Sequence, residues 1–164
     1  MTIPVRIEPL EVDDRPTAVA MLGEDLDLPR SVSESYTKPH AWDQDWAAWT
    51  GDRMVGLVTG GFGDFSDRSA FEHFNLPAAP HAFLYRVFVR PAVREDGVGP
   101  QLLKYFMHEA AGRRCTFVVG YLDRNGYVRE RRRFFERMGF NIGPDDTFGA
   151  QPTAVLEAVA MDQR

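Results

Sequence analysis

Arg94-Glu95-Asp96-Gly97-Val98-Gly99-Pro100 follows directly on the apolar run Phe83 to Val89 and Pro91. Residues of those types in that order suit a pyrophosphate. The first N–H groups of a helix have no acceptor within the helix and point outward, toward an anion. Gly97 and Gly99 carry no Cβ, so the backbone amides can approach the phosphates closely. Pro100 fits the first helical turn, where its fixed φ suits the helix and its missing N–H is no loss. The binding residues on this reading are the 94–99 loop itself: Arg94, Glu95, Asp96, Gly97, Val98 and Gly99.

Two elements must position that loop. Residues 83–89 read as a strand. Residues 98–111 read as an amphipathic helix, because Val98, Leu102, Phe106 and Ala110 recur every four residues with Leu103 and Met107 beside them. Gly112 is the expected stop.

The run Leu84-Tyr85-Arg86-Val87-Phe88-Val89-Arg90-Pro91 followed by Arg94-x-x-Gly97-x-Gly99 resembles the acetyl-CoA signature of the GNAT N-acetyltransferases. Arg133-Phe134-Phe135-Glu136-Arg137-Met138-Gly139-Phe140 is similar to that family's later helix, which usually ends in a tyrosine followed four residues on by Gly-Phe. The two matches cover about residues 83–140. The resemblance implies an α/β (α+β) fold: a mixed, mostly antiparallel sheet with a splayed central strand pair, flanked by helices. It implies acetyl-CoA as cosubstrate, with the pantetheine arm on the backbone of the strand at Val87, Phe88 and Val89. It also implies direct attack of an amine of a small molecule or peptide on the thioester. An ammonium has a pKa near ~10 and the departing thiol near ~8.5, so a base is needed more than an acid.

Several positions depart from the family pattern. Phe135 stands where a thiolate-protonating tyrosine is common and has no hydroxyl; Tyr121 is the nearest substitute, or a strand anchor. Val128 replaces the usual asparagine of that helix, and Asn125 either takes over the contact or caps the helix. Glu95 and Asp96 repel phosphate, which predicts weaker anchoring. His81 lies where the family often places a carboxylate. It is the candidate base, or else a loop histidine with no role. Asp43, Asp45 and Glu72 are outsiders for that task. The four histidines show no metal-ligand spacing, so no metal is expected.

Composition sets the bounds. A chain of 164 residues that is 44% hydrophobic is long enough for one domain with its own core. No run approaches the ~20 apolar residues that span a bilayer. The first ten residues lack a signal peptide's basic start and apolar centre. Cys115, the single cysteine, excludes an internal disulfide and reads as a small buried hydrophobe. The expectation is a cytoplasmic protein with no membrane partner, and a homodimer stays open.

Charge is uneven. Residues 1–80 hold 6 Lys or Arg against 14 Asp or Glu, while residues 81–164 hold 13 against 10. Glu24, Asp25, Asp27, Glu34, Asp43 and Asp45 fall in a polar stretch expected to wall the acceptor site. They favour a cationic amine, the alternative being acidic loops that aid solubility. Arg129, Arg131, Arg132, Arg133 and Arg137 alternate with Glu130 and Glu136, so a solvated helix face is favoured over nucleic acid. The rival to an N-acetyltransferase is a catalytically degenerate acetyl-CoA-binding sensor or interaction module.

The remaining elements are expected as follows. Val5 to Leu10 forms a strand and Arg15 to Leu22 a helix. Residues 23–45 form a loop with a short helix. Trp46–Thr50 and Met54–Thr59 form a hairpin turned at 51–53. Residues 60–81 form an aromatic lid or interface. Thr116–Tyr121 forms a strand, Tyr127–Met138 a helix and Thr153–Met161 a last strand.

Overall fold

Strand alternation and short turns build the first half of the chain. The structure, a computed structural model, describes residues 2–64, 69–123 and 128–164. β1 (Arg6–Pro9) pairs antiparallel with β2 (Gln44–Thr50), and β2 with β3 (Arg53–Gly63) through a tight turn at Gly51-Asp52. Between β1 and β2 lie α1 (Arg15–Ala20) and α2 (Arg30–Ser33). Pro16 sits in the first turn of α1, where its ring is tolerated. α1 widens into a π turn over Met21–Asp25, closed by Leu26 N on Met21 O.

β4 (His81–Val89) leads to α3 (Val98–Gly112), then β5 (Val118–Tyr121), α4 (Val128–Arg137), β6 (Asn141–Ile142), β7 (Thr147–Ala150) and α5 (Pro152–Asp162). The seven strands run in the order β1-β2-β3-β4-β5-β7-β6. β4 and β5 are parallel, paired at Ala82 with Val118 and Phe83 with Val119, and β7 is antiparallel to both β5 and β6. A seven-stranded, mostly antiparallel sheet flanked by helices is the mixed architecture that the sequence implied.

The chain divides into two compact units, Met1–Gly60 with Arg86–Leu102, and Gly61–Tyr85 with Leu103–Arg164. In the first, Met21, Leu22, Tyr36, Ala47, Trp49, Met54, Leu57 and Phe88 pack into one apolar cluster under α1 and α2. In the second, Phe71, Phe117 and Val119 form another, with Phe74 and Phe83 against it. The expected stripe of α3 is buried throughout: Val98, Leu102, Leu103, Phe106, Met107 and Ala110.

Three expectations are corrected. Thr153–Met161 is a helix, not a strand. Val155 and Val159, four apart, are its buried pair, and Pro152 occupies its first turn, so helical spacing overrides the strand preference of its valines. The closing strands are instead β6 and β7. Gly112 stays within α3, and the left-handed residue beyond the helix is Arg114 (φ 60). The 60–81 stretch does not stand apart as a lid over its described length. Gly61–Gly63 extend β3, while Phe71 and Phe74 join the second unit's apolar cluster; Phe65 lies outside the described residues.

Candidate active site

Past Val89 the chain takes one 3-10 turn, Pro91–Val93, and enters α3. Val93 N donates to Arg90 O and Asp96 N to Val93 O, so the loop is closed by its own backbone. Gln101 N to Gly97 O (3.3 Å) is the opening bond of the helix. The amides of Gly97, Val98 and Gly99 precede that bond and have no helical acceptor, the arrangement in which a helix start can receive an anion. Gly97 has φ +76, a left-handed backbone that favours glycine, and a Cβ there would lie 2.9 Å from Thr2 Cγ2. Val98 and Gly99 are buried, Glu95 is exposed, and Arg94 turns back to donate Nε to Val89 O at 3.2 Å.

The N-terminal segment is fastened to this loop. Ile3 N donates to Asp96 O, Gln101 Nε2 donates to both Ile3 O (2.7 Å) and Gly97 O (3.0 Å), and Gln101 Oε1 accepts from Val5 N. Of the three β4 residues expected to face pantetheine, Phe88 is buried in the first unit's cluster, with Val87 and Val89 half-buried.

The other candidates lie in the second unit. His81 opens β4, is 1% exposed, and its Nε2 sits 2.7 Å from Pro77 O. A carbonyl only accepts, so that nitrogen carries the proton. At ~3.3 Å per strand residue, His81 is roughly 20 Å along β4 from Val87. Tyr121 ends β5 half-exposed, its ring 5.2 Å from Phe71 and 6.1 Å from Phe83. The β4–β5 register puts Tyr121 level with the far end of that pair, about four residues or ~13 Å from His81. The two are not brought together. Phe135 stacks on Phe148 at 4.4 Å with its edge to Phe140, so its ring packs an aromatic cluster. Asn125 lies outside the described residues. Burial pushes the Cys115 thiol up, which keeps it from acting as a ready nucleophile. Among the described residues no group of His, Cys, Asp or Glu is arranged to hold a metal ion.

A polar network in the first unit was not read from the sequence. Asp45, on β2, is 6% exposed and Arg15, on α1, is 4% exposed. Arg15 Nη2 donates to Asp45 Oδ2 at 3.0 Å, and its Nη1 donates to Tyr36 O and Lys38 O. Thr59, opposite Asp45 in the β2–β3 register, donates to Oδ1 at 2.7 Å, so the Tyr36 hydroxyl, 2.7 Å from Thr59 Oγ1, is the donor to Thr59. Burial pushes the Tyr36 phenol up to about 12, which keeps it protonated as that donor. His40 Nε2 is 3.5 Å from Asp45 Oδ1, its ring edge-on to Tyr36 at 5.2 Å. Burial raises Asp43 above the usual carboxylate range, with His40 opposing. Arg86 of β4 donates to Ser35 Oγ at 3.3 Å.

These pairings reduce the acidic surplus. Asp45 is bound to Arg15, Asp25 to Arg90 and Glu34 to Arg30, so three of the six acids between 24 and 45 are already neutralised. On α4, Arg132 pairs with Glu136, Arg137 with Asp162 and Arg131 with Asp123, as a solvated face requires.

The profile of the acetyltransferase (GNAT) family matches residues 10–140, and the chain belongs to that family. Solved structures share the fold at low identity. A GNAT-family protein from Desulfovibrio desulfuricans is 16% identical with TM-score 0.73, covering 91% of this chain and 99% of its own. The PaiA N-acetyltransferase of Thermoplasma acidophilum, solved with coenzyme A, is 15% identical with TM-score 0.67, covering 91% and 99%. NAA60 of Arabidopsis thaliana, solved with a bisubstrate analogue, is 12% identical with TM-score 0.67, covering 90% and 98%. No curated protein matches the sequence.

Proposed function

We propose that the chain is an acetyl-CoA-dependent N-acetyltransferase, acting as one domain on an amine of a small molecule or peptide. The observation that carries this is the end of α3, where the amides of Gly97, Val98 and Gly99 meet no helical acceptor directly beyond β4. Those amides bind the pyrophosphate, and the backbone of Val87 and Val89 holds the pantetheine arm. Glu95 and Asp96 weaken the seat by repulsion, and Pro100 supplies no amide. Membership of the family and the coenzyme A complex of the PaiA enzyme support the same reading.

Acetyl-CoA supplies an activated acyl group: the amine lone pair forms the C–N bond, the C–S bond breaks and the thiolate leaves. Because that thiolate is a fair leaving group, Phe135 in the usual tyrosine position is compatible with turnover, and Tyr121 is the hydroxyl proposed to reprotonate it. Asn125, which lies outside the described residues, is proposed either as the polar contact to the cofactor or as a helix cap. With three of six acids paired, the preference for cationic acceptors rests on Glu24, Asp27 and Asp43.

Thiol release from acetyl-CoA across an amine panel, with acetylated products identified by mass spectrometry, tests the activity. Turnover with at least one amine is expected. Coenzyme A binding without turnover on any amine gives the sensor reading instead, and no binding at all overturns both. A second expectation concerns the loop. Glu95→Lys tightens coenzyme A binding, most at low ionic strength, where exposed charges are least screened. An unchanged Kd at low salt by calorimetry places the Glu95 side chain away from the phosphates.

A further inference from the structure

We infer that His40, oriented by Asp45, is the residue that takes the proton from the acceptor amine. The inference rests on the N-acetyltransferase reading and names a residue for its missing step. His40 stands in the loop between the turn at Tyr36 and β2, and its side chain keeps 22% exposure. Its Nε2 is sealed from solvent and meets no hydrogen-bond partner within normal length, with Asp45 Oδ1 3.5 Å away. Nδ1 is the ring nitrogen not facing Asp45 and the inferred proton acceptor.

Asp45 is held by two hydrogen bonds and faces the ring. Arg15 donates to Oδ2 and Thr59 to Oδ1, with Tyr36 behind Thr59, and His40 Nε2 lies 3.5 Å from Oδ1. A carboxylate fixed in this way selects the tautomer that carries hydrogen on Nε2 and holds the imidazolium once Nδ1 is protonated. The charged and titratable groups around the ring are Tyr36, Asp43 and Asp45, with Arg15 acting through Asp45 and Arg86 through Asp43.

The location fits the reaction. Arg86, which donates to Ser35 and acts on both Tyr36 and Asp43, immediately precedes Val87, where the pantetheine arm is proposed to run. In the step itself, the ammonium gives a proton to the Nδ1 lone pair, and the freed nitrogen attacks the acetyl carbon. The C–N bond forms, the attacking nitrogen sheds its second proton to water, the C–S bond breaks, and coenzyme A leaves as thiolate. His40 then passes its proton to water, while Tyr121 protonates the thiolate and regains a proton from solvent, so two protons leave the ammonium, one ends on the thiol, and charge balances.

The experiment compares wild type, His40→Gln and His40→Ala, using the best amine from the panel. Positioned general bases contribute about 10²–10⁴-fold, so kcat falls by that factor while KM for acetyl-CoA and the Kd for coenzyme A stay unchanged. Added imidazole restores part of the rate to His40→Ala and none to His40→Gln, a response that a merely structural histidine does not give. Should the alanine variant melt early, the kcat against KM comparison on His40→Gln carries the test. Full activity in both variants, or a matching loss confined to His81→Gln, overturns the assignment while wild-type turnover leaves the enzyme reading intact. A wild type that binds coenzyme A and never turns over defeats the enzyme reading itself.

Discussion

Arg15→Leu is expected to lower the folding free energy by about 3–5 kcal/mol, the usual cost of removing one partner from a buried ion pair. Arg15 and Asp45 have side chains 5% and 1% exposed, so neither charge is compensated by water. The substitution also frees the carbonyls of Tyr36 and Lys38, which Arg15 Nη1 holds in place. Against a typical stability of about 5–15 kcal/mol, such a loss leaves a marginal protein. Urea unfolding followed by far-UV dichroism measures it. The double variant Arg15→Leu with Asp45→Leu should regain part of the loss, because no lone buried charge remains. A single-variant loss below ~1 kcal/mol would mean that water reaches the pair.

Gly120→Ala is the second large effect. A Cβ at Gly120 would lie 2.5 Å from Leu84 O and press on the Phe148 ring. The ring can rotate, but the carbonyl belongs to β4 and moves only if the strand moves. Overpacking of this kind costs about 1–3 kcal/mol, and backbone contact puts it at the upper end. For a chain of this size, 3 kcal/mol lowers Tm by roughly 6–12 °C. Calorimetry reads the shift, and a change under ~2 °C, about what 1 kcal/mol gives, would show that the strands part easily there.

The strand–loop–helix from β4 to α3 was legible because its signals are local. Strand alternation, Pro91, the glycines and the four-residue stripe of α3 lie within one short stretch and agree with each other. α5 was misread for a local reason as well: Thr153, Val155 and Val159 favour strands, and only packing shows that the two valines face inward on a helix. The network around Asp45 had no local signal. Its partners come from positions 15, 36, 40 and 59, and an acid at the start of an apolar strand looks the same buried or exposed until those elements meet. His81 was named because of its place in the chain, and the contacts among positions 15, 36, 40, 45 and 59 from which His40 is proposed had no counterpart in the sequence.

The threading of residues 3–5 onto Asp96 and Gln101 also has a kinetic side. On the ribosome, residues 3–5 must wait until some ninety more have emerged before their partners exist. Closing so wide a span early has little to offset its entropy, so it belongs near the end of folding. The proposed anion seat is therefore expected to be among the last parts finished and among the first to come loose. If the seat binds coenzyme A as proposed, a protein held partly unfolded is expected to lose that binding while its apolar clusters still persist.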